Sequence, residues 1–487
     1  MLIWFVVIYL AVSIGIGLYA ATRVHNARDY IVAGRNLPFP IVLAMVFATW
    51  FGAETVLGIS ATFIDEGFRG LISDPLGASI CLMLFGLVFA KRLYRLNLLT
   101  LGDFFRVRFN RKVEVALSTA IIISYLGWVG AQMAALGLVF NVLSDGGISL
   151  TQGTLIGAGV VLLYTLFGGM WSVAMTTFVQ MIVIVLGLLY VTWLAGDMAG
   201  GFSAVVGKAA ADGKLNFLPS ADLLDIISWI AALLTMALGS IPQQDVFQRV
   251  NASKNEWVAV WGTTLGGASY FFFAAVPLFL AYSATLIDPA LVTRLMAEDS
   301  QLILPRLIIQ YMPLGAQIIF FGALLSVIMS TASGTLLAPA VTFSENILRG
   351  HYPQMTDRQL LLATRAAVIV FTCMVATYAI STNATIHHMV ESAYRITLSG
   401  AFVPLFAGLF WKRANNLGAG LAIVLGIGTW LSLELFVPEG DIEPQLYGLI
   451  ASAIGMLLGA WLAPRPGTEE AARSEEHTSE LQSPNTI

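Results

Sequence analysis

The stretch ATWFGAETVLGIS, Ala48–Ser60, places a glycine and a carboxylate inside an otherwise apolar run. A second stretch, LGSIPQQDVFQRV, Leu238–Val250, places Gly239 and Pro242 before two glutamines and an aspartate. Proline removes a backbone donor and glycine loosens the chain, so we expect the helix to unwind in both stretches. Unwound backbone at membrane depth persists only where it is buried in protein or lines a cavity. The two stretches therefore predict a pair of broken helices beside a binding site.

The composition predicts a membrane protein. Of the 487 residues, 57% are hydrophobic and only 11% are charged, whereas a soluble domain carries about 25% charged residues. Because so few charges cannot cover a water-facing surface of normal size, we expect many membrane spans. The two cysteines, Cys81 and Cys373, lie in apolar runs and predict neither a disulfide framework nor a metal site. The sequence shows no GxxxxGK[ST] motif and no nucleophile–base constellation, which argues against direct ATP coupling and against an enzyme.

Thirteen apolar windows of the sequence are long enough to cross about 30 Å of hydrocarbon. The two breaks open the second and the seventh window, a spacing that suits a five-plus-five inverted repeat with its substrate near the bilayer midplane. Either break alone could be a structural kink, but two at corresponding positions favour a site. The windows cover residues 1–21, 41–63, 76–93, 113–143, 153–167, 172–195, 223–247, 258–281, 313–347, 361–380, 388–411, 417–437 and 446–462.

These windows divide the chain into parts. We expect an N-terminal anchor helix and inner loop over 1–38, a first repeat over 39–195, a second repeat over 196–411, and two C-terminal spans over 412–466. The predicted fold class is an all-α integral membrane protein of about 13 transmembrane helices. The segment RSEEHTSELQS, Arg473–Ser483, looks like the in-frame translation of a common sequencing adapter. Residues 473–487 are therefore set aside as an artefact.

The basic residues predict the orientation of the spans. Eighteen Lys and Arg residues, Arg465 among them, fall in loops on one side of the predicted spans, and five fall on the other. Because loops rich in Lys and Arg stay inside, we expect the N-terminus outside, in the inner (plasma) membrane of the cell. The five residues on the predicted outer side are Arg69, Lys208, Lys214, Arg294 and Arg306.

A cluster of hydroxyls, SVIMSTASG, Ser326–Gly334, lies in the ninth window. The simple interpretation is that each hydroxyl bonds a carbonyl one turn back in its own helix. The functional interpretation is that Ser330 and Thr331 contribute to a cation site, because small hard cations take oxygen ligands. Carbonyls released at the break in Ala48–Ser60 could complete the shell. A monovalent cation does not need a carboxylate among its ligands, so this cluster of hydroxyls predicts a sodium site.

Four motifs together carry a resemblance to a known family. They are YTLFGGMWSVAMTTFVQMIVIV (Tyr164–Val185), IPQQDVFQRVNASKN, IMSTASGTLLAPA and LFWKRANNLGA, in this order along the chain. The sequence resembles the sodium:solute symporter family, whose members transport proline, sugars, pantothenate, iodide and choline. The resemblance implies a leucine-transporter-type inverted-repeat fold and sodium-coupled import of a small organic solute by alternating access.

The resemblance also implies the residues of the sodium site. The resemblance implies that the sodium ligands are the backbone carbonyls of Ala48, Phe51 and Val327 and the hydroxyls of Ser330 and Thr331. The family often has a smaller residue where Val327 stands, but a carbonyl ligand tolerates that change.

Within this family, the motifs most resemble those of the choline-transporter branch. Trp50 and Trp128 align with aromatic residues of the choline cage, and a cation over an indole face is stabilised by electrostatic attraction. Gln243 stands where that branch has a further tryptophan, and Trp50 stands where proline-type members have an acidic residue. Glu54 and Asp245 are either functional carboxylates or a buried structural pair. The candidate substrate residues are Trp50, Glu54, Trp128, Gln243, Gln244 and Phe247.

A second class of function stays open at this point. Relatives of the family are fused to histidine kinases, so the alternative is a transporter-like sensory input module of a membrane histidine kinase that continues beyond this sequence. The expected partners are a small organic solute, sodium as coupling ion and the lipid bilayer, with no nucleic acid and with a monomeric chain. Glu391 and Arg395 are four residues apart and predict an ion pair on one helix face.

Overall fold

The computed structural model describes residues 2–382, 384–437 and 442–463. Arg465 and the adapter-like segment 473–487 lie outside these residues. Within them the regular backbone is helical, and the β-type pairing consists of the single bridge between Leu37 and Ser253. The all-α expectation is therefore confirmed.

The helices follow one another closely along the chain. The first eleven are α1 (Leu2–Ala21), α2 (Ala27–Val32), α3 (Phe39–Trp50), α4 (Ile59–Glu66), α5 (Ala78–Leu84), α6 (Lys91–Arg95), α7 (Leu101–Arg108), α8 (Arg111–Leu143), α9 (Leu150–Met198), α10 (Phe202–Ala211) and α11 (Leu223–Ala237). The rest are α12 (Gln244–Ala252), α13 (Glu256–Ile287), α14 (Pro289–Glu298), α15 (Ile303–Tyr311), α16 (Leu314–Thr342), α17 (Arg349–His351), α18 (Asp357–Ser381), α19 (Ile386–Gly400), α20 (Phe402–Phe410), α21 (Asn416–Phe436) and α22 (Pro444–Leu462). Turns of π-helix extend several of them, over Glu54–Gly58, Ile72–Gly77, Phe85–Ala90 and Phe343–Leu348.

Nine helices in the described ranges are long and apolar enough to cross a membrane, or ten with the pair α19 and α20, which is bent by 47°. The protein is therefore a multi-pass membrane protein. The number thirteen stays a prediction, because it also counts both halves of α9, the windows 41–63 and 76–93 as separate spans, and the broken segment 223–247.

The 49-residue helix α9 would be about 74 Å long if it were straight, which is more than twice the hydrocarbon thickness. It is bent at Gly169, whose φ of 50° and ψ of −134° leave the helical region. A side chain at this position would collide with the Tyr30 carbonyl, and the Tyr30 hydroxyl donates to the Thr165 carbonyl at 3.0 Å. Glycine thus lets α2 approach the bend, which falls between the predicted windows 153–167 and 172–195.

The two predicted breaks coincide with helix ends. Helix α3 ends at Trp50, and the next helical turn begins at Glu54; α11 ends at Ala237, and α12 begins at Gln244. Both broken segments lie inside the bundle, since α12 packs against α3, α13 and α16. Every residue of α12 is buried. The fold thus places both breaks among protein neighbours, as a membrane interior requires.

The loops that carry most basic residues meet on one face of the bundle. Five arginines of these loops donate hydrogen bonds to distant segments on the same face. The bonds run from Arg28 to Asn97 (2.7 Å), from Arg92 to the Leu409 carbonyl (3.0 Å), from Arg108 to the Gly408 carbonyl (2.9 Å), from Arg111 to the Ile347 carbonyl (3.2 Å) and from Arg365 to the Phe167 carbonyl (3.2 Å). The loops of the predicted outer side likewise contact one another, through the pair of Arg69 with Asp225 and the hydrogen bond from Tyr282 to Asp212 at 2.5 Å. The predicted loops of one side are thus neighbours in space.

Candidate functional site

The end of α3 exposes backbone oxygens inside the bundle. Phe51 leaves the helical region with a φ of −85° and a ψ of 76°, and its N–H donates the last bond of the helix to the Phe47 carbonyl at 2.9 Å. The carbonyls of the residues after Phe47 lack the N–H donors that a further turn of the helix would supply, as at any helix C-terminus. The N–H of Ala53, beyond the break, instead donates to Gln132 of α8 at 3.0 Å.

Two hydroxyls of α16 meet one of these carbonyls. Ser330 Oγ lies 2.7 Å from the Ala48 carbonyl and 2.9 Å from the Val327 carbonyl. Thr331 Oγ1 lies 3.4 Å from the Ala48 carbonyl and 3.2 Å from the Val327 carbonyl. All four residues are fully buried. Each hydroxyl thus bonds its own helix, as the simple interpretation expects, and also reaches across to α3, while the cation site stays a prediction.

This group of oxygens has the chemistry of a sodium site. Four of the five predicted residues contribute oxygens to one small volume between α3 and α16, and Phe51 is the residue directly after the end of α3. The donors are two neutral hydroxyls and backbone carbonyls, which suit a hard ion of single charge. The other hydroxyls of the stretch have different partners: Ser326 lies 2.5 Å from the Tyr9 hydroxyl, and Ser333 bonds the Ser330 carbonyl at 3.2 Å.

Four buried rings form an aromatic cluster beside the break. The Trp50 and Trp128 rings meet edge to face with centroids 5.3 Å apart, and Tyr394 lies 6.1 Å from Trp50 and 5.6 Å from Trp128. Tyr125 stacks on Trp128 at 6.2 Å. The rings come from α3, α8 and α19, and Trp50 lies only two residues from Ala48. The aromatic cluster (Trp50, Tyr125, Trp128 and Tyr394) is thus a direct neighbour of the ion-site oxygens.

Each indole of the aromatic cluster bonds a buried carboxylate. The Trp128 Nε1–H donates to Glu54 at 3.0 Å, and the Gln132 amide donates to its second oxygen at 2.7 Å. The Trp50 Nε1–H donates to Asp245 at 3.3 Å. The two carboxylates therefore border one pair of contacting rings, and each carboxylate follows one of the two breaks.

The two carboxylates differ in their charge balance. Asp245 accepts from the Tyr125 hydroxyl at 2.6 Å and pairs with the buried Arg249 guanidinium at 3.1 Å. Glu54 accepts from neutral donors and has no salt-bridge partner among the described residues. When both are ionised, Arg249 balances Asp245, and Glu54 leaves one uncompensated negative charge beside the aromatic cluster.

The glutamines of the second break have separate partners. The Gln243 amide bonds Ser124 Oγ at 3.1 Å, next to Tyr125. Gln244 accepts from the Leu101 N–H at 2.8 Å and so holds the start of α7. Phe247 is fully buried one turn further along α12. Gln243 therefore borders the aromatic cluster, while Gln244 contacts α7.

The sequence analysis did not single out Tyr125, Gln132, Arg249 and Tyr394. Tyr125, Trp128 and Gln132 recur at helical spacing on one face of α8, so the position of Trp128 could have identified its two neighbours. Asp245 and Arg249 have the four-residue spacing of a helical ion pair. The predicted pair of Glu391 and Arg395 exists at 4.0 Å, but the nearer partner of Arg395 is Glu434, at 2.9 Å.

Comparison with known proteins gives the family. The model of the sodium:solute symporter family matches residues 30–426. The chain belongs to the sodium:solute symporter family. The expected family is thus confirmed. The members of this family are transporters and not enzymes, and the motifs that carried the resemblance lie within the matched residues.

Similar proteins agree with this assignment. The high affinity choline transporter 1 of Homo sapiens is 28% identical over 471 residues, which are 92% of this chain and 77% of the human protein. The osmoregulated proline transporter of Bacillus subtilis (strain 168) is 26% identical over 489 residues, 94% of both chains. A solved Na+-coupled sialic acid symporter superposes with a TM-score of 0.83 at 18% identity, covering 95% of this chain and 97% of that chain.

The structural similarity shows that this symporter has the leucine-transporter-type fold. Together the relatives support sodium-coupled symport as the function of the chain and sodium as its coupling ion. The sensory-module alternative finds no support in these comparisons.

Proposed function

We propose that this symporter imports a small organic cation of the quaternary-amine class together with sodium, by alternating access. The observation that carries the proposal is Glu54, which is 2% exposed and receives only neutral N–H donors at the edge of the aromatic cluster. A buried charge without a partner is costly. A cationic solute would supply the missing positive charge.

The aromatic cluster suits the same class of solute. Aromatic faces attract cations by about 0.5–2 kcal/mol, and this attraction is the usual means of recognising quaternary ammonium groups. Such a group has no N–H to donate, so it needs ring faces and a nearby carboxylate more than it needs hydrogen-bond acceptors. The indoles of Trp50 and Trp128 offer the faces, and Glu54 offers the charge.

The relatives support this solute class only in part. The human relative is a choline transporter, and a proline transporter of Bacillus subtilis is similar over 94% of both chains. Proline is a zwitterion, so its own carboxylate cancels its ammonium and it would add no net positive charge to balance Glu54. The charge balance at Glu54 therefore favours the quaternary amine over the zwitterion.

We assign the coupling ion to the oxygens of Ala48, Phe51, Val327, Ser330 and Thr331. Bound sodium would hold the end of α3 against α16, replacing the hydroxyl-to-carbonyl bonds that join them. The same last turn of α3 carries Trp50, so ion and solute would both favour one position of the broken helix. Two ligands that stabilise the same conformation bind cooperatively, which is the thermodynamic basis of coupling.

We propose that the N-terminus lies outside and that the loops with most basic residues face the cytoplasm of a plasma membrane. Their clustering on one face of the bundle supports this orientation through the excess of Lys and Arg on the inner side. The repeat boundaries 39–195 and 196–411 belong to the same proposal, supported by the breaks at Trp50 and Ala237.

Uptake by reconstituted proteoliposomes tests the solute class. Radiolabelled choline, proline and glucose are compared under an inward sodium gradient and with potassium in place of sodium. We expect sodium-dependent accumulation of choline, inhibited by other quaternary amines. Accumulation of proline or glucose without choline would reject the proposed solute class while leaving sodium symport intact.

A further inference from the structure

A buried carboxylate outside the proposed sodium site has an oxygen without a partner. Asp74 interrupts the helical turn Ile72–Gly77 with a φ of −134° and a ψ of 125°, and it is 2% exposed. Its Oδ1 accepts from the Tyr270 hydroxyl at 2.5 Å. Its Oδ2 has no hydrogen-bond partner among the described residues. Buried polar atoms without a partner are rare and need an explanation.

Other oxygens extend from Asp74 towards the first broken helix. The Tyr270 hydroxyl lies 3.1 Å from Thr55 Oγ1, which lies 3.5 Å from the Trp50 carbonyl. The Trp50 carbonyl is one of those left without an amide donor at the end of α3. Carboxylate, two hydroxyls and a carbonyl thus follow one another across four helical elements.

The charged surroundings of Asp74 are negative. The ionisable groups that act on it are the carboxylates of Glu54 and Glu391 and the hydroxyl of Tyr270, with the Tyr394 hydroxyl also in electrostatic range. No basic side chain pairs with Asp74 in the described part of the chain. A carboxylate in such surroundings attracts a cation strongly, because the low dielectric of the interior hardly screens its charge.

We propose that Asp74 binds a second monovalent cation, in a site separate from the Ser330–Thr331 oxygens and completed by the oxygens of Tyr270 and Thr55. The inference rests on the proposed function, because it adds a second positive charge to the same transport cycle. The proposed ligand carries a single positive charge and is either a sodium ion or a proton. Only one carboxylate contacts the site directly, and no group of three or more His, Cys, Asp or Glu residues that could hold a metal ion occurs among the described residues.

The second cation would act on the first broken helix from the other side. Thr55 belongs to the turn that begins at Glu54, so a cation at Asp74 pulls on the segment after the break. The sodium site at Ala48 holds the segment before it. Both halves of the broken helix would then be fixed by ions, and import would move two charges per cycle in addition to any charge on the solute.

Equilibrium binding of ²²Na+ to the purified full-length protein tests the site without any transported solute. The proteins compared are wild type, Asp74→Asn, Tyr270→Phe and the double variant Ser330→Ala/Thr331→Ala, each measured at several pH values between 6 and 9. Asp74→Asn keeps the size of the side chain and an acceptor for Tyr270. Size-exclusion profiles and melting temperatures establish that each variant is folded.

If the second cation is sodium, wild type binds two ions per chain and Asp74→Asn binds one. If it is a proton, wild type binds one sodium ion with an affinity that changes with pH, and the change disappears in Asp74→Asn. Tyr270→Phe removes one oxygen of the site and is expected to weaken the sodium-type second binding event about tenfold. If Asp74→Asn is folded but matches wild type in both sodium number and pH profile, the proposal is overturned.

The double variant separates this proposal from the coupling site. Loss of one sodium ion in Ser330→Ala/Thr331→Ala, together with an unchanged sodium number and an unchanged pH profile in Asp74→Asn, would retain the first site and reject the second. Loss of one ion in Asp74→Asn, with unchanged binding in the double variant, would retain the second site and reject the first assignment. Should Asp74→Asn fail to fold, Tyr270→Phe decides: unchanged sodium affinity and pH profile in that variant would also overturn the proposal.

Discussion

Arg249 of α12 donates a hydrogen bond of 2.6 Å to Thr49 of α3. This bond joins the two broken helices at a residue that lies between an oxygen of the proposed ion site, at Ala48, and a ring of the aromatic cluster, at Trp50. The same guanidinium holds Asp245 at 3.1 Å. Arg249 is 1% exposed, so its charge is compensated within the bundle. One side chain thus connects the ion site, the aromatic cluster and both broken helices.

Removing this connection is expected to destabilise the protein. Arg249→Met leaves Asp245 as an unpaired buried charge, which costs about 3–5 kcal/mol. The double variant Arg249→Met/Asp245→Asn removes both charges and should recover part of that loss. The measurement is the melting temperature of the purified proteins, with Arg95→Met as control, because its pair with Glu256 is partly exposed and is worth about 0–1 kcal/mol. An equal loss in the single and double variants would contradict a paired role for Arg249.

The sodium dependence of transport should follow the two hydroxyls of the ion site. Ser330→Ala and Thr331→Ala each remove one proposed ligand, so both should raise the sodium concentration needed for half-maximal uptake. The matched control is Thr335→Ala on the same helix, whose hydroxyl bonds only carbonyls of α16, at 2.7 and 3.4 Å. We expect the control to keep the wild-type sodium dependence. A shift of the same size in all three variants would show a general effect on α16 and not a ligand role.

The breaks could be predicted because their causes are local. Gly239 and Pro242 disfavour a helix wherever they occur, and the helices end within the two stretches that contain these breaks. Ser330 and Thr331 were named from the chemistry of the hydroxyl cluster, and the resemblance to a family added Ala48, Phe51 and Val327. Both hydroxyls do reach the Ala48 carbonyl.

The remaining features depend on packing between distant segments. Tyr394 joins the aromatic cluster from a helix 344 positions after Trp50, and the nearer partner of Arg395 is 39 residues away, at Glu434. The sequence analysis did not name Asp74, because nothing in the sequence indicates that Tyr270 will lie beside it. Helical spacing predicts neighbours within one helix, and tertiary contacts of this kind do not follow from it.

The orientation of the chain can be checked by labelling cysteines. Asp145 has a side chain that is 97% exposed on the predicted outer side, and Lys112 is exposed on the predicted inner side. In a Cys373→Ser background, Asp145→Cys should react with an impermeant thiol reagent on intact cells, and Lys112→Cys should react only after permeabilisation. Lys112 is preferred to Asn110, because the Asn110 side chain caps α8 by accepting from the Val113 N–H at 3.0 Å. The reverse pattern would overturn the orientation that the basic loops predict.

The charge of the solute should be visible in variants of Trp50 and Glu54. Trp50→Ala removes a ring face and is expected to cost about 0.5–2 kcal/mol of binding for a quaternary amine, or roughly two- to thirtyfold in affinity. Glu54→Gln keeps the side-chain volume and an acceptor for the Trp128 N–H, but it removes the uncompensated charge.

The two variants together distinguish the solute classes. For a quaternary amine, Glu54→Gln should weaken binding together with Trp50→Ala, because ring and carboxylate act on the same positive charge. For a solute with a carboxylate, removal of the negative charge at Glu54 should leave affinity unchanged or improve it. Choline and proline binding are measured at fixed high sodium, with Phe89→Leu as control, because this buried ring packs on Phe410 and is not among the candidate substrate residues. Because Glu54 borders the rings but has no cationic partner in the described structure, unchanged choline affinity in both variants would remove these residues from the site and reject the quaternary-amine proposal.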